Sequence, residues 1–239
     1  MKRIAGSYYE GFADGFGRHA LFGTIHDIAI STKTGVVYCT DSHHHRVRSL
    51  THNLYDDTWT VATVAGSGAY GDLDGVPDKC QFRHPDSLCF DPRDPNTLYV
   101  CCNSGIRIVH LNGYGRGSYY VSTLTPRRPT PTLSDLHPDF LISSPDGSYM
   151  IYYPFGGTTE IMCVQTGHTK SLGFARFPKL LPMCWHVSDS EGYITPGLFA
   201  KVKDVPQFVK VTGGFPASWF NTTASSVSTG ASSKSGTSN

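Results

Sequence analysis

Ile4-Ala5-Gly6-Ser7 and Val64-Ala65-Gly66-Ser67 are two copies of one motif, placed 60 residues apart. The same spacing relates further pairs, which are Asp14-Gly15 with Asp74-Gly75, Phe22 with Phe82, and Ile28-Ala29-Ile30 with Leu88-Cys89-Phe90. One extra residue then changes the spacing to 61, which aligns Tyr38 with Tyr99, Arg46 with Arg107, and Leu50 with Leu111. So many matches in register indicate an internal repeat, and such a repeat decides the fold.

A third copy of the unit follows, with a shorter connecting loop. Residues 119–124 align with residues 59–64 at a spacing of 60, whereas His84-Pro85-Asp86 recurs as His137-Pro138-Asp139 at a spacing of 53. Loops tolerate such changes in length better than strands do. Beyond about Gly167 the pattern fades, and a fourth unit is predicted only from four strand-like pieces, residues 183–187, 193–195, 198–203 and 207–211.

Each unit contains four short strand candidates that are separated by turns. In the first unit they are residues 27–30, 36–40, 46–50 and 58–65. Four antiparallel strands repeated in this way form the blades of a β-propeller. Because one blade cannot bury both of its faces, neighbouring blades must cover it. The sequence therefore predicts an all-β fold.

The repeated unit resembles a blade of the NHL-repeat family. The motifs that carry the resemblance are Ala5-Gly6, Asp14-Gly15, Phe22, residues 27–30, residues 36–41 and His45-Arg46-Val47-Arg48. The resemblance covers residues 1–125 well and residues 126–165 weakly. The second unit departs from the family at Cys101-Cys102, where the family prefers Ala-Asp. The resemblance implies an NHL-type β-propeller.

Residues 1–220 are predicted to hold three to four four-stranded blades. The approximate blades are residues 25–65, 85–125, 137–175 and 182–212, and residues 1–5 are the outer strand of a preceding blade. Because NHL-type propellers usually have more blades, an incomplete ring is favoured, which missing blades or a second chain would complete. In the alternative, the ring closes unusually and Arg3–Ala5 forms the outer strand of the last blade. Residues 221–239, rich in Ser, Thr and Gly, are predicted to be a disordered tail.

Composition and charge argue against several classes of partner. The 20 basic and 19 acidic residues give a net charge of +1, without the basic excess typical of nucleic-acid-binding proteins. No apolar run is long enough for a membrane-spanning helix. No apolar stretch follows Lys2-Arg3, as a signal peptide would require. We therefore expect neither a nucleic-acid partner nor a membrane span.

The seven cysteines do not form a pattern that would bind zinc through paired thiolates, because no two are spaced as CxxC. Several lie in apolar, strand-like runs, where a free cysteine behaves as a small buried apolar residue. Cys101 and Cys102 are adjacent, so they are predicted to face opposite sides of one strand.

Histidine and aspartate provide the candidate binding residues. His43-His44-His45 could hold a transition metal, but adjacent side chains of an extended turn point in different directions, so a structural role is favoured. His26, Asp86 and Asp139 occupy equivalent positions before the first strand of three units. The first strand of a blade lies innermost, so these residues, with Asp27, His84 and His137, are predicted to surround one mouth of a central channel.

This channel mouth could bind a cation, such as zinc or calcium, or a basic partner. In the alternative, the aspartates cap nearby backbone amides. No cofactor is predicted. Asp14-Gly15 and Asp74-Gly75 are interpreted as turns in which glycine supplies a positive φ.

The residues predicted to contact a partner are aromatic loop residues, Tyr8, Tyr9, Phe12, Tyr70, Tyr114, Tyr119 and Tyr120. Aromatic residues are enriched at the centres of interfaces, although packing between blades would explain them equally well. Asn221-Thr222-Thr223 matches the glycosylation acceptor pattern, which matters only for a secreted chain.

The function predicted from these features is a non-catalytic protein-interaction scaffold that presents the top face and rim loops of a propeller. No GxSxG, HExxH or phosphate-loop motif indicates an enzyme. One alternative is a metal-dependent propeller enzyme, similar to the lyases that resemble this family, using His and Asp at the channel. The other is an RNA-binding NHL domain. An odd number of cysteines and no signal peptide favour the cytoplasm, whereas the acceptor site and the tail favour an extracellular location if the amino terminus is truncated.

Overall fold

A computed structural model of the chain describes residues 3–112, 119–124, 141–144, 146–152, 158–175, 198–201 and 208–211. The chain divides into two compact units, Met1–Met183 and Cys184–Asn239. In the described part of the chain, antiparallel strands and a 3₁₀ turn at Gly17–His19 are the regular elements. The predicted all-β fold class is confirmed.

Three antiparallel sheets make up the first unit, one for each copy of the repeat. The first sheet consists of β1 (Gly15–Phe16), β2 (Ile25–Ile30), β3 (Val37–Asp41), β4 (Arg46–Asn53) and β5 (Thr58–Ala65). The second consists of β6 (Pro85–Asp91), β7 (Asp94–Cys102), β8 (Gly105–His110) and β9 (Tyr120–Leu124). The third consists of β10 (Leu141–Ser143), β11 (Tyr149–Tyr152), β12 (Thr158–Cys163) and β13 (Thr169–Ala175). Within each sheet, β2 to β5, β6 to β9 and β10 to β13 lie side by side in chain order, and β1 pairs with β5.

In the second unit, β14 (Leu198–Lys201) and β15 (Phe208–Val211) form an antiparallel pair. They fall within two of the four predicted strand-like pieces, and the other two pieces lie outside the described residues. Residues 221–239, predicted as a tail, also lie outside them.

The register of the strands corrects one detail of the repeat alignment. Arg48 pairs with Cys39 beside Tyr38, and Arg107 pairs with Val100 beside Tyr99. Arg48, and not Arg46, is therefore the counterpart of Arg107. The cause is the hairpin turn, which spans residues 42–45 in the first sheet and only residues 103–104 in the second.

The two Asp-Gly motifs attach the loop before each inner strand to the outer strands of the same sheet. Arg48 is fully buried, and its Nη2 and Nε donate to Oδ1 of Asp14 at 2.7 and 3.1 Å. The amide of Thr63 donates to Oδ2 of the same carboxylate at 3.0 Å.

The second sheet repeats this arrangement. The buried Arg107 donates to Asp74, and the amide of Thr123 donates to Oδ2 of Asp74 at 3.1 Å. Gly15 and Gly75 have positive φ values of 140° and 134°, as the sequence predicted. The ion pairs of their aspartates with buried arginines were not predicted.

Apolar side chains are buried between successive sheets. One face of the first sheet, including Tyr38 and Val47, packs against Leu88 and Val100 of the second. The opposite face of the second sheet, including Tyr99, packs against residues of the third. Burying one large apolar side chain stabilises a fold by roughly 1.5–3 kcal/mol, so these layers hold neighbouring sheets together.

The cysteines follow the prediction of small buried apolar residues. Cys101 packs between the second and third sheets, whereas Cys102 packs between the first and second. Two other thiols, Cys39 and Cys80, are buried as well, while Cys89 and Cys163 are partly buried. Cys184 lies outside the described residues.

The outer strand of a preceding blade over residues 1–5 stays a prediction; Arg3, Ile4 and Ala5 are not assigned to a strand, and residues 1–2 lie outside the described residues. Ala5 packs against the face of the first sheet that points away from the second sheet, the face that includes Cys39, Leu50 and Val61. Among the residues that the structure describes, no helix is long and apolar enough to cross a membrane.

Candidate functional site

The predicted site residues concentrate at one end of the first two sheets, which we call the loop end. Here β2, β4 and β6 begin and β3 and β5 end. Three stretches of chain meet at this end, residues 3–24 before β2, the turn at residues 42–45, and residues 66–84 between the first two sheets. Loops on a rigid frame are where binding residues are concentrated.

Part of the predicted channel mouth is brought together at the start of the inner strands. Nδ1 of His26 lies 3.2 Å from Oδ1 of Asp86, which also accepts a hydrogen bond from the Ser42 hydroxyl at 3.0 Å. Asp27 turns towards the second sheet, where its Oδ2 accepts from the Ser87 hydroxyl at 2.7 Å and from the Leu88 amide at 3.0 Å.

Both aspartates therefore connect the first sheet to the second. Oδ1 of Asp27 also accepts from the amide of Ile28 at 2.9 Å. The contacts of Asp27 to the amides of Ile28 and Leu88 are of the kind that the capping alternative describes. His137 and Asp139, the third-unit members of the channel mouth, lie outside the described residues.

The three consecutive histidines point in three directions. His43 contacts the Thr24 hydroxyl through Nδ1 at 3.0 Å, whereas Nδ1 of His44 lies 2.9 Å from Oδ1 of Asp41. The ring of His45 instead lies against His84, with ring centroids 4.7 Å apart. This divergence is what the extended turn predicted. Within the described ranges, no group of three or more His, Cys, Asp or Glu side chains is arranged to hold a metal ion.

His45, His84 and Tyr70 form one ring cluster, which we call the His–Tyr cluster. Tyr70 lies 5.4 Å from His45 and 5.6 Å from His84, measured between ring centroids. The guanidinium of Arg83 lies 5.2 Å from the Tyr70 ring and also pairs with Asp72. Tyr70 is 54% exposed, so one side of this supported ring faces solvent.

Burial and the neighbouring His84 lower the pKa of His45 from its usual value of 6.5. The imidazole of His45 is therefore neutral at pH 7. His45 and His84 both have a positive φ, 55° and 44°, which is uncommon for residues other than glycine.

A groove with a volume of 310 Å³ lies beside this cluster and is lined by Phe12, Asp14, Arg46, Thr63, Gly66, Ser67, Pro77 and Asp78. The guanidinium of Arg46 lies 3.7 Å from the centroid of the Phe12 ring. Its Nη1 and Nη2 donate to the carbonyl oxygens of His44 and Ser67 at 3.0 and 2.8 Å. The groove therefore combines a fixed aromatic ring, a fixed cation and two carboxylates.

Gly66 and Gly68 allow the loop after β5 to lie against Arg46. Both have positive φ values, 107° and 92°, and a Cβ at either would overlap residue 45 or 46. The glycine-rich stretch, which has no lysine of a phosphate loop, is explained by this close approach.

The other described aromatic residues that were predicted to contact a partner belong neither to the His–Tyr cluster nor to the lining of the groove. Tyr8 and Tyr9 are highly exposed, and the Arg3 guanidinium lies 3.6 Å from the centroid of the Tyr8 ring. Tyr119 packs against the core between the first two sheets, while Tyr120 stays exposed on β9. Tyr114 and Asn221 lie outside the described residues.

The buried thiols do not suit a nucleophilic role. Burial raises the pKa of Cys39 and that of Cys89 to about 12, and it also raises the pKa of Cys102. A thiol with a raised pKa holds little of the reactive thiolate at neutral pH.

Comparisons with known proteins support the fold and no particular activity. No protein-family model matches the sequence, and no curated protein is similar to it. A solved structure from Bacteroides thetaiotaomicron VPI-5482, a structural genomics protein of unknown function, is similar with a TM-score of 0.54 and 14% identity. The match covers 87% of this chain and 48% of that chain.

Two weaker resemblances have TM-scores below 0.5. A "putative 6-phosphogluconolactonase" from Bacteroides uniformis ATCC 8492 has a TM-score of 0.45 and 13% identity over 87% of this chain and 58% of that one. An auxiliary nutrient binding protein from B. thetaiotaomicron VPI-5482 has a TM-score of 0.42 and 20% identity over 52% of this chain and 33% of that one. The chain spans less than two thirds of each of these structures. Its repeated four-stranded sheets define it as a β-propeller-like protein.

Proposed function

We propose that this chain is a non-catalytic protein-interaction scaffold that binds a partner at the loop end of its first two sheets. The resemblance of its repeats to NHL blades supports the proposal, because NHL-like propellers mostly present such surfaces to proteins. The near-neutral net charge of +1 argues for a protein partner over RNA.

The observation that carries the proposal is the way in which Tyr70 is held. Its ring is exposed on one side and supported on the other by His45, His84 and Arg83. Phe12, also exposed, is held in a similar way under Arg46. Rings fixed before binding lose little conformational freedom when a partner arrives, and large aromatic residues dominate many interfaces.

The aspartates at the predicted channel mouth support the same proposal. Asp27 and Asp86 are engaged in hydrogen bonds between the first two sheets. A carboxylate whose hydrogen bonds hold two sheets together has a structural role, which favours the scaffold over a catalytic function.

The proposal can be tested by placing a photo-crosslinking phenylalanine analogue at position 70 of the full chain. We expect it to crosslink a protein partner from an extract of the source cells, and Tyr70→Ala to lose binding of that same protein. The matched control is Tyr55, which is fully exposed in the turn between β4 and β5, at the opposite end of the sheet. The analogue at position 55 should give no such crosslink, and Tyr55→Ala should bind normally.

Two results would overturn the proposal. One is equal crosslinking from positions 70 and 55, because it would show that the loop end is not the binding surface. The other is stoichiometric zinc or calcium in the purified chain, which would favour the metal-dependent enzyme.

A further inference from the structure

Arg46, in the groove beside the His–Tyr cluster, is an arginine without a carboxylate partner among the described residues. Four other arginines each pair with an aspartate, namely Arg48, Arg83, Arg93 and Arg107. The side chain of Arg46 instead donates its two hydrogen bonds to backbone carbonyl oxygens. Because an arginine stays charged at neutral pH, the groove contains an unpaired cation.

The guanidinium of Arg46 is held in place and keeps donors for a ligand. Its Cζ lies 3.7 Å from the centroid of the Phe12 ring, and a Cβ at Gly68 would overlap the guanidinium. A guanidinium has five N–H groups, of which two donate to the carbonyl oxygens of His44 and Ser67. The others make no hydrogen bond among the described residues. Since Arg46 lines the groove, these donors are available to a bound group.

The second sheet forms without an arginine at this position. Arg46 is the first residue of β4, and Gly105 is the first residue of β8. Each lies two residues before the buried arginine of its sheet, so Gly105 is the counterpart of Arg46. Asp72, which follows Phe12 by 60 residues, replaces the aromatic ring. The stacked ring and cation are thus absent from the second repeat, which favours a role in binding over a role in forming the sheet.

The two carboxylates of the groove do not neutralise Arg46. Asp14 accepts hydrogen bonds from the buried Arg48 at 2.7 and 3.1 Å, so its charge is already paired. The side chain of Asp78 is 73% exposed and lies 3.7 Å from Nζ of Lys79, where water and salt screen its charge. Burial, and then the neighbouring Arg48, lower the pKa of Arg46 below its usual value. A partly desolvated cation beside another cation is stabilised by an anion that approaches it.

We propose that the groove binds a carboxylate side chain of the protein partner, an aspartate or a glutamate, through the guanidinium of Arg46. The proposal rests on the proposed function, because the carboxylate belongs to the partner that binds at the loop end. A planar guanidinium donates two parallel hydrogen bonds to one carboxylate, and such charge-assisted pairs are stronger than neutral hydrogen bonds.

The charge and the size of the groove favour a single carboxylate over a phosphate group. A carboxylate carries one negative charge, which the unpaired Arg46 balances. A phosphate group carries nearly two, which would leave an excess of negative charge next to Asp14 and Asp78. The groove has a volume of 310 Å³, at the lower end of the roughly 300–1,000 Å³ that ligand sites have. It therefore suits one side chain.

The probe for this site is the blocked tripeptide acetyl-Gly-Glu-Gly-amide, and acetyl-Gly-Gln-Gly-amide is its uncharged match. Each is titrated into the isotope-labelled full chain, and NMR follows the amides of Gly66 and Ser67, which line the groove. We expect the Glu peptide to shift both amides saturably and to bind more than about tenfold more tightly than the Gln peptide. Added salt should weaken the binding of the Glu peptide alone.

Substitution of Arg46 tests whether this residue holds the carboxylate. Arg46→Gln should reduce the affinity for the Glu peptide to that for the Gln peptide. Arg3→Gln is the matched control and should bind as the wild type does. Arg3 also lies against an aromatic ring, that of Tyr8, but does not line the groove.

A second pair of variants leaves Arg46 and its hydrogen bonds to the backbone in place. Ser67→Glu brings a carboxylate of the chain itself into the groove, where it competes with the peptide. It should therefore weaken the binding of the Glu peptide more than Ser67→Gln, which adds a side chain of the same size without the charge.

Several results would overturn the proposal. They are an absence of binding of the Glu peptide, equal binding of the two peptides, unchanged binding by Arg46→Gln or equal effects of Ser67→Glu and Ser67→Gln, and tighter binding of inorganic phosphate than of the Glu peptide. The titration uses the purified chain, whereas the proposed function is tested by crosslinking from position 70. Failure of the one is thus distinguishable from failure of the other.

Discussion

Arg48 and Asp14 are joined inside the first sheet by an ion pair of 2.7 Å, and the arginine is fully buried. Nη1 of Arg48 also lies 3.0 Å from Oδ2 of Asp41, which is itself buried. In the second sheet Arg107 pairs with Asp74, but Cys102 replaces Asp41 at the equivalent position. Nε of Arg107 is buried and makes no hydrogen bond among the described residues. The buried arginine thus pairs with two carboxylates in the first repeat and with one in the second. We call each buried arginine together with its carboxylates the clamp.

This difference predicts that replacing Arg48 lowers the free energy of unfolding by more than replacing Arg107 does. Arg48→Met removes the guanidinium beside the fully buried Asp41, which then keeps the Gly23 amide and Nδ1 of His44 as neighbours, and breaking a buried ion pair typically costs about 3–5 kcal/mol. Arg107→Met leaves only Asp74, which is 40% exposed and so can be solvated, and should cost less. The measurement is the free energy of unfolding in urea at pH 7. An equal cost, or a larger one for Arg107→Met, would contradict the explanation.

The sequence predicts the part of the fold that lies within the two well-matched copies of the repeat. Strands β2 to β9 follow from alternating apolar residues and turns, which are local signals repeated at a fixed spacing. The clamp was missed because Asp14 and Arg48 are 34 residues apart, and no local pattern relates them. The His–Tyr cluster was missed because its members suggested three different roles. His45 belonged to the histidine triplet, His84 to the channel mouth and Tyr70 to the interface aromatics, and only the loop packing brings them together.

The contact between Asp27 and Leu88 predicts a local effect on hydrogen exchange. Asp27→Ala removes the acceptor for the Leu88 amide and for the Ser87 hydroxyl, and a buried donor left unpaired costs about 1–3 kcal/mol. We expect faster exchange of the Leu88 amide, measured by NMR or mass spectrometry, and a lower unfolding free energy. Asp27→Asn keeps a side-chain oxygen and should lose less. Equal effects of the two substitutions would show that the charge, and not the acceptor, matters.

We expect alanine to be tolerated at position 35 and not at position 66. Both residues have positive φ, but a Cβ at Gly35 would meet nothing within 4 Å, whereas a Cβ at Gly66 would overlap the backbone carbonyl of His45. Gly35→Ala should cost only conformational strain, about 1–2 kcal/mol. Gly66→Ala should cost more and should also displace Arg46 from the groove. Thermal unfolding of the two variants compares the costs, and similar midpoints would refute the steric argument.

The His–Tyr cluster predicts that acid weakens the fold through His45. Burial and His84 lower the pKa of His45 below 6.5, and His44 and Arg46 add to the positive charge around it. The unfolded chain therefore binds a proton at this residue more readily than the folded chain does. Stability is fully present above pH 6.5 and falls as the pH decreases towards the lowered value.

His45→Phe keeps a ring in the cluster but cannot be protonated. We expect a smaller loss of unfolding free energy than in the wild type as the pH is lowered from about 7.5 to about 5. Tyr70→Phe is the matched control, since it changes the same cluster without removing the imidazole, and it should keep the pH dependence of the wild type. Urea unfolding of the three proteins at each pH measures the difference. If His45→Phe and the wild type lose the same free energy on acidification, His45 is not the residue that responds to acid.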